Sequence, residues 1–308
     1  MTLRFGTYYM HTGAAERLQS GAVPAASGAG INVTEKSYQN VLIEREGGIT
    51  FVVLNRPGQR NAMSPELHYE MEDAIDAIAA DKETKVLVLT GAGESWCAGQ
   101  DIRLYFRATQ DDPDERQRSN AASHRWRWEK LKAFPKPTIA MVNGYCYGAA
   151  FTQLCAVDFV ITAEDAVYGL SEVNWGIIPG GIVGWNLTDM ILPRHALYYA
   201  VTGEPFDGKR AVEIGLANFV VPKERLRQET VRLADKLMKL NPGVVRYTKE
   251  AMRAVRGMSD DQARDYLRSK QDSLMRSDKE IRDQVGMKQF LDEKTYRPGF
   301  GPYRREDG

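Results

Sequence analysis

Residues 137–181 read PTIAMVNGYCYGAAFTQLCAVDFVITAEDAVYGLSEVNWGIIPGG, and the way this stretch is punctuated decides the fold. Thr138–Val142 is a short, mostly apolar run after a proline, the pattern of a buried strand. Asn143-Gly144 ends it. Gly148, Ala149 and Ala150 follow, and then Phe151, Leu154, Cys155 and Ala156 fall at helical spacing. Small side chains at a strand-to-helix turn let a ligand approach the backbone closely. The first amides of such a helix have no intrahelical acceptor and are free to hold a developing negative charge. The same small residues also suit plain helix–sheet packing, so this turn alone leaves both readings open. A second strand follows, then one carboxylate, Glu172, between Leu170 and Val173.

Upstream, Val41–Arg45, a Glu46-Gly-Gly turn and Ile49–Leu54 predict a β-hairpin whose turn is longer than two residues. Ser64-Pro65 supplies an N-cap followed by proline at the first helical position. Leu67, Met71, Ala74, Ile75 and Ile78 share one face of the helix that follows. Lys85–Thr90 reads as a strand, Gly91–Gly99 as a loop, and Asp101–Arg107 as the start of a helix. The glycines of that loop lack both the GK[ST] ending of a P-loop and the spacing of a dinucleotide fingerprint, so the loop reads as a plain turn. Alternating strands and helices imply an α/β core. After Gly181 the chain becomes helical, with segments 194–202, 209–215, 223–240, 244–256, 259–275 and 279–292. No solenoid repeat is visible.

The 308 residues suffice for a large core. Lysine plus arginine and aspartate plus glutamate number 41 each, and this balance gives no reason to expect a nucleic-acid or anionic-membrane partner. Three cysteines, Cys97, Cys146 and Cys155, read as reduced thiols of a cytoplasmic protein. Scattered histidines (His11, His68, His124, His195) and the absence of a CxxC motif argue against a metal site. No apolar run reaches membrane-spanning length. Residues 1–35 are rich in Gly, Ala and Ser and read as a flexible N-terminal extension.

Four motifs in register resemble the enoyl-CoA hydratase/isomerase (crotonase) superfamily. They are Asn55-Arg-Pro…Arg60-Asn-Ala-Met, Gly91-Ala-Gly…Ala98-Gly-Gln-Asp-Ile102, Lys136-Pro-Thr-Ile-Ala…Asn143-Gly…Gly148-Ala-Ala, and Gly169-Leu-Ser-Glu-Val-Asn-Trp-Gly-Ile…Pro179-Gly. Further stretches are similar to the hydroxycinnamoyl-CoA (feruloyl-CoA) hydratase-lyases within it: Ser95-Trp, Tyr105-Phe-Arg, Trp126-Arg-Trp128, Ser171-Glu-Val-Asn-Trp175, Thr202-Gly-Glu-Pro-Phe and Lys288-Gln-Phe-Leu-Asp292. The resemblance implies an α/β fold, a crotonase-like spiral of ββα units over residues 36–225, with a helical C-terminal trimerisation region over 226–308. It also implies an acyl-CoA thioester as substrate, no cofactor beyond that coenzyme A, and a homotrimer or dimer of trimers. The implied activity is hydration of a hydroxycinnamoyl side chain and retro-aldol cleavage to an aromatic aldehyde and acetyl-CoA. Plain hydration or isomerisation of another acyl-CoA, and a catalytically silent binding protein, are the alternatives.

Carried onto this chain, the resemblance makes the backbone amides of Gln100 and Ala149 an oxyanion hole and Glu172 the acid/base. Thr152 stands where ordinary hydratases carry a second glutamate, a substitution shared by the lyases. The Gln100 side chain departs from the apolar residue of close relatives. Tyr105 matches a tyrosine that contacts the substrate's 4-hydroxyl. Arg268 replaces a second such tyrosine, and either lies solvated on the surface or binds a phenolate or an acid group on a different acyl chain. Gln59, Ala62, Ala98, Asp101 and Ile102 line the expected CoA path. Trp175 matches a position near the thioester arm, while its composition alone equally suits a core aromatic. An apolar setting for Glu172 should raise its pKa.

Overall fold

The computed structural model describes residues 37–305; the N-terminal extension expected over 1–35 lies outside them. Strand β1 (Val41–Glu46) pairs antiparallel with β2 (Ile49–Leu54). Glu46 faces Ile49, so Gly47-Gly48 forms a two-residue turn, tighter than the sequence reading. Gly47 supplies the left-handed φ of 56° that such a turn demands. From β2 the chain enters α1 (Pro65–Ala80), capped by the Ser64 side chain, and its predicted apolar face is buried.

Three ββα turns follow. The first is β3 (Val86–Gly91), β4 (Ser95–Cys97) and α2 (Pro113–His124). The second is β5 (Thr138–Val142), β6 (Tyr145–Tyr147) and α3 (Ala150–Ala156). The third is β7 (Phe159–Ala163), β8 (Val167–Gly169) and α4 (Val183–Met190). Next come α5 (Pro193–Thr202), β9 (Phe206–Asp207), α6 (Gly208–Glu213) and β10 (Phe219–Val221). The first strand of each turn enters a six-stranded sheet of order β1-β2-β3-β5-β7-β10, and the second enters a four-stranded sheet of order β4-β6-β8-β9. This is the spiral implied by the resemblance. The central strands β2, β3 and β5 are buried at every position, as parallel strands covered on both faces must be.

The C-terminal helices are α7 (Leu226–Met238), α8 (Pro242–Ala254), α9 (Asp260–Ser277), α10 (Lys279–Arg282) and α11 (Val285–Leu291). The single helix expected over 279–292 is broken at Gln284, which adopts φ 55°. Helix α7 lies on the large sheet and contributes Leu226 and Ala234 to the core. Helix α8 is pinned by a buried cluster around Asp158, at the start of β7. Its carboxylate accepts from Lys249 Nζ at 2.6 Å and Arg253 Nη2 at 2.8 Å, and from the Thr138 amide and hydroxyl at 2.8 and 2.9 Å. No helix among the described residues is long and apolar enough to cross a membrane.

Candidate active site

The second turn and the loop after β4 meet where their small residues permit. Gly99 has φ 88°, and a Cβ on it would stand 2.8 Å from the Tyr147 carbonyl oxygen and 3.3 Å from the Ala149 nitrogen. Only glycine allows this approach, and it brings the backbone before Gln100 against the backbone of Ala149. Gln100 forms an isolated parallel bridge with Met63. Its bonds come from the flanking groups: Met63 N–H donates to Gly99 O at 2.8 Å, and Asp101 N–H to Met63 O at 2.9 Å. The N–H of Gln100 is therefore turned to the opposite side. Among the described residues neither it nor the Ala149 N–H has a protein acceptor. Ala149 is the N-cap of α3, so its amide is one of the donors that a helix start leaves free.

Glu172 opens a short 3₁₀ turn, Glu172–Trp175. Its carboxylate lies against Gly148: a Cβ there would fall 3.0 Å from Oε1. Gly148 has φ 54°. Its bare α-carbon lets the carboxylate reach the loop that carries Ala149. Oε2 of Glu172 is buried and has no hydrogen-bond partner among the described residues. Loss of hydration raises the carboxyl pKa above its ordinary value, as the apolar setting predicted. Thr152 lies four residues past Gly148 on α3 and is buried.

The other expected site residues are distributed unevenly. Gln59 ends a 3₁₀ turn, and Ala62 N–H donates back to its carbonyl at 3.0 Å. The Ala98 N–H donates to Arg60 O at 3.0 Å, which holds the two segments of the expected CoA path together. Between them, buried Asn61 accepts from the Arg56 amide and donates to the carbonyls of Ala92 and Ser95. Asp101 is occupied structurally. It caps the amides of Arg103 and Leu104 and pairs with Arg56 at 2.9 Å, so its carboxylate shapes the loop. Ile102 is exposed, and Trp175 is 67% exposed, which overturns the reading of Trp175 as a core aromatic. Tyr105 lies in a π-helical turn, Ile102–Arg107, and its hydroxyl donates to Asn120 Oδ1. Arg268 is exposed on α9, which packs on α8 and α10. The structure therefore brings together Gln100, Ala149 and Glu172, with Thr152 on the same helix as Ala149. It does not bring Arg268 to them within this chain.

The model for the enoyl-CoA hydratase/isomerase family matches residues 44–298. The chain belongs to that family. A hydroxycinnamoyl-CoA hydratase-lyase of Pseudomonas fluorescens is 45% identical over 274 residues, covering 88% of this chain and 99% of that one. Among solved structures, enoyl-CoA hydratase subunit I of Geobacillus kaustophilus superposes with a TM-score of 0.75 at 30% identity, over 86% of this chain and 99% of the other. An enoyl-CoA hydratase of Bacillus anthracis gives 0.74 at 27% identity, over 83% and 97%.

This member of the enoyl-CoA hydratase/isomerase family also carries a buried polar chain that motif reading passed over. Trp126 Nε1 donates to His68 Nδ1 at 2.8 Å. Indole is only a donor, so the His68 proton sits on Nε2 and is directed at Gln100 Oε1, 2.7 Å away. Burial, with Arg127 nearby, pushes the His68 pKa well below its ordinary value and keeps the ring neutral. Gln100 Nε2 donates to Ser123 Oγ at 3.1 Å, and Arg127 Nη2 donates to the same oxygen at 2.7 Å. Arg127 Nε donates to Ser123 O at 3.1 Å and Nη1 to Ala149 O at 2.8 Å. The available signal was Arg127 itself, a cation between two tryptophans. Cys97 and Cys146 are buried packing residues, and burial raises both thiols, Cys97 to about 11.

Proposed function

We propose that this chain hydrates 4-hydroxycinnamoyl-CoA thioesters, such as feruloyl- and coumaroyl-CoA, and cleaves the product to an aromatic aldehyde and acetyl-CoA. The observation that carries the reading is Glu172: a desolvated carboxylate against Gly148, one oxygen unpartnered among the described residues, next to the loop whose Ala149 amide, like that of Gln100, has no acceptor among those residues. The likeness to the Pseudomonas fluorescens hydratase-lyase over 88% of the chain supports the choice of substrate.

In the hydration step the Glu172 carboxylate takes a proton from water, and the oxygen adds to the benzylic carbon. The displaced π electrons move to the α-carbon and thioester oxygen, where the amides of Gln100 and Ala149 hold the enolate. Glu172 then returns the proton to the α-carbon. In the cleavage step Glu172 removes the β-hydroxyl proton and the Cα–Cβ bond breaks. The aldehyde leaves, and the bonding pair becomes the enolate of acetyl-CoA in the same amide pair. Glu172 protonates it. Both steps pass through one charge in one place, so a single carboxylate and a single oxyanion hole serve both. Removing one such donor costs about 3–4 kcal/mol in other enzymes. Thr152 leaves Glu172 without the second carboxylate of ordinary hydratases. One carboxylate therefore serves as base and acid in both steps, and electron release by the 4-oxygen favours the cleavage by stabilising the conjugated aldehyde that leaves.

Tyr105 is the proposed contact for that oxygen. Its own proton is directed to Asn120, which leaves the Tyr105 oxygen free to accept from a phenol. Gln59, Ala62, Ala98 and Ile102 lie along the CoA path, Asp101 holds that path in shape, and Trp175 flanks the thioester arm. No cofactor is required beyond coenzyme A in the substrate. Exposed Ile178, Leu192, Leu197 and Val201 support self-association as a trimer or dimer of trimers.

Incubation with feruloyl-CoA, followed by chromatography, tests the reading. Vanillin and acetyl-CoA should appear in equal amounts, and crotonyl-CoA should be hydrated far more slowly. Rapid crotonyl-CoA hydration without vanillin from feruloyl-CoA would replace the lyase with a plain hydratase.

A further inference from the structure

Arg127 is 8% exposed and forms no ion pair among the described residues. An uncompensated buried charge is strongly destabilising unless neighbouring dipoles hold it. Here all three of its hydrogen bonds go to neutral oxygens: Ser123 O, Ser123 Oγ and Ala149 O. It is presented from a π-helical turn, Arg125–Lys130, a distortion that re-aims side chains and is frequent at functional sites. On one side the guanidinium grips the residue that carries one amide donor. On the other, through Ser123 Oγ, it reaches the side chain of the residue that carries the second. His68 and Trp126 close the far end of this chain by fixing Gln100 Oε1.

We infer that Arg127, with Ser123 as bridge, is a positioning residue that sets the gap between the two oxyanion amides and supplies the fixed positive charge against which the enolate forms. This also accounts for Gln100. Its side chain is the tether by which its own backbone amide is registered against Ala149. The inference rests on the proposed thioester chemistry of the Gln100 and Ala149 amides, though not on which acyl group is cleaved.

The probe is 4-(dimethylamino)cinnamoyl-CoA, a push–pull chromophore whose absorption moves to the red as its thioester carbonyl is polarised. Wild-type protein should shift it on binding. Arg127→Met should lose more than half of that shift, and kcat on feruloyl-CoA should fall about 100-fold, the loss expected for one oxyanion donor, while KM stays nearly constant. Arg127→Lys, which keeps the charge and loses the fork, should recover part of the shift. Gln100→Met should lose part of it with the charge intact. If Arg127→Met does not fold, Ser123→Ala decides: a reduced shift supports the inference, and a wild-type shift overturns it. A wild-type shift and wild-type kcat in folded Arg127→Met likewise overturn it, even with aldehyde production intact. If instead the wild type makes no aldehyde but the shift still collapses in Arg127→Met, the lyase reading fails and the positioning role stands.

Discussion

Gly148→Ala puts a methyl group into the contact on which the proposed chemistry depends. Its Cβ would lie 3.0 Å from Glu172 Oε1 and 3.5 Å from the carboxyl carbon. The carboxylate must therefore retreat by a few tenths of an ångström. The backbone adds a second penalty, since φ of 54° suits glycine and costs other residues roughly 1–2 kcal/mol. For a domain of this size that corresponds to a Tm lowered by roughly 2–8 °C. A 1 Å misplacement of a reacting group costs about 100-fold, so this displacement should take roughly 4- to 10-fold off kcat. KM should change little, because the added methyl group meets the Glu172 carboxylate and no residue of the proposed CoA path. Steady-state kinetics on feruloyl-CoA and a thermal melt read the two effects separately. A lowered Tm with full kcat would refute the reasoning, because the carboxylate would then not depend on its seat against Gly148.

Tyr105→Phe should lower turnover of 4-hydroxylated esters by ~0.5–1.5 kcal/mol, the worth of one neutral hydrogen bond, and leave cinnamoyl-CoA nearly untouched; equal losses on both substrates would remove Tyr105 from 4-hydroxyl recognition. Asp158→Ala strips the shared partner from Lys249 and Arg253 and should cost about 3–5 kcal/mol in a denaturant melt, with α8 the first element to lose amide protection; a loss under 1 kcal/mol would mean the cluster is solvated. The raised pKa of Glu172 has a definite sign. The folded state binds that proton more tightly than the unfolded chain, so its stabilising contribution is present below the unfolded carboxyl range and is lost as pH rises through the folded pKa. The acid limb of kcat should reflect the same group, with activity falling below a midpoint above the usual glutamate value, and an acid limb at or below that value would contradict the burial argument.

Much of this was legible because the sequence patterns were strong. The buried runs of β2, β3 and β5 and the capped, amphipathic α1 each have one dominant physical reading. The close approach of the two turns proposed as the oxyanion hole was legible because glycine at Gly99 and Gly148 has few structural substitutes. The short strands β4 and β6 were not visible, since three residues carry no periodicity and their neighbours read as turn residues. Repetition was hidden for a related reason: each ββα turn has its own loop lengths, so the spiral repeats in space without repeating in letters. Trp175 shows the limit of composition, because an apolar ring says nothing about whether its face is covered within one chain. Arg127 and His68 were missed because their significance lies in partners from α2, the adjoining π-helical turn and the loop after β4, which spacing along the chain does not join.

The most direct test of the account is Glu172→Gln assayed for both turnover and binding. The amide is isosteric with the carboxyl group but shuttles no proton, and general acid–base catalysis is worth about 100- to 10,000-fold. Vanillin and acetyl-CoA formation from feruloyl-CoA should fall by at least that lower factor. Affinity for a CoA thioester should stay close to wild type, and Tm at neutral pH should be unchanged or higher, because a desolvated charge has been removed. Turnover within a few-fold of wild type would contradict the central claim.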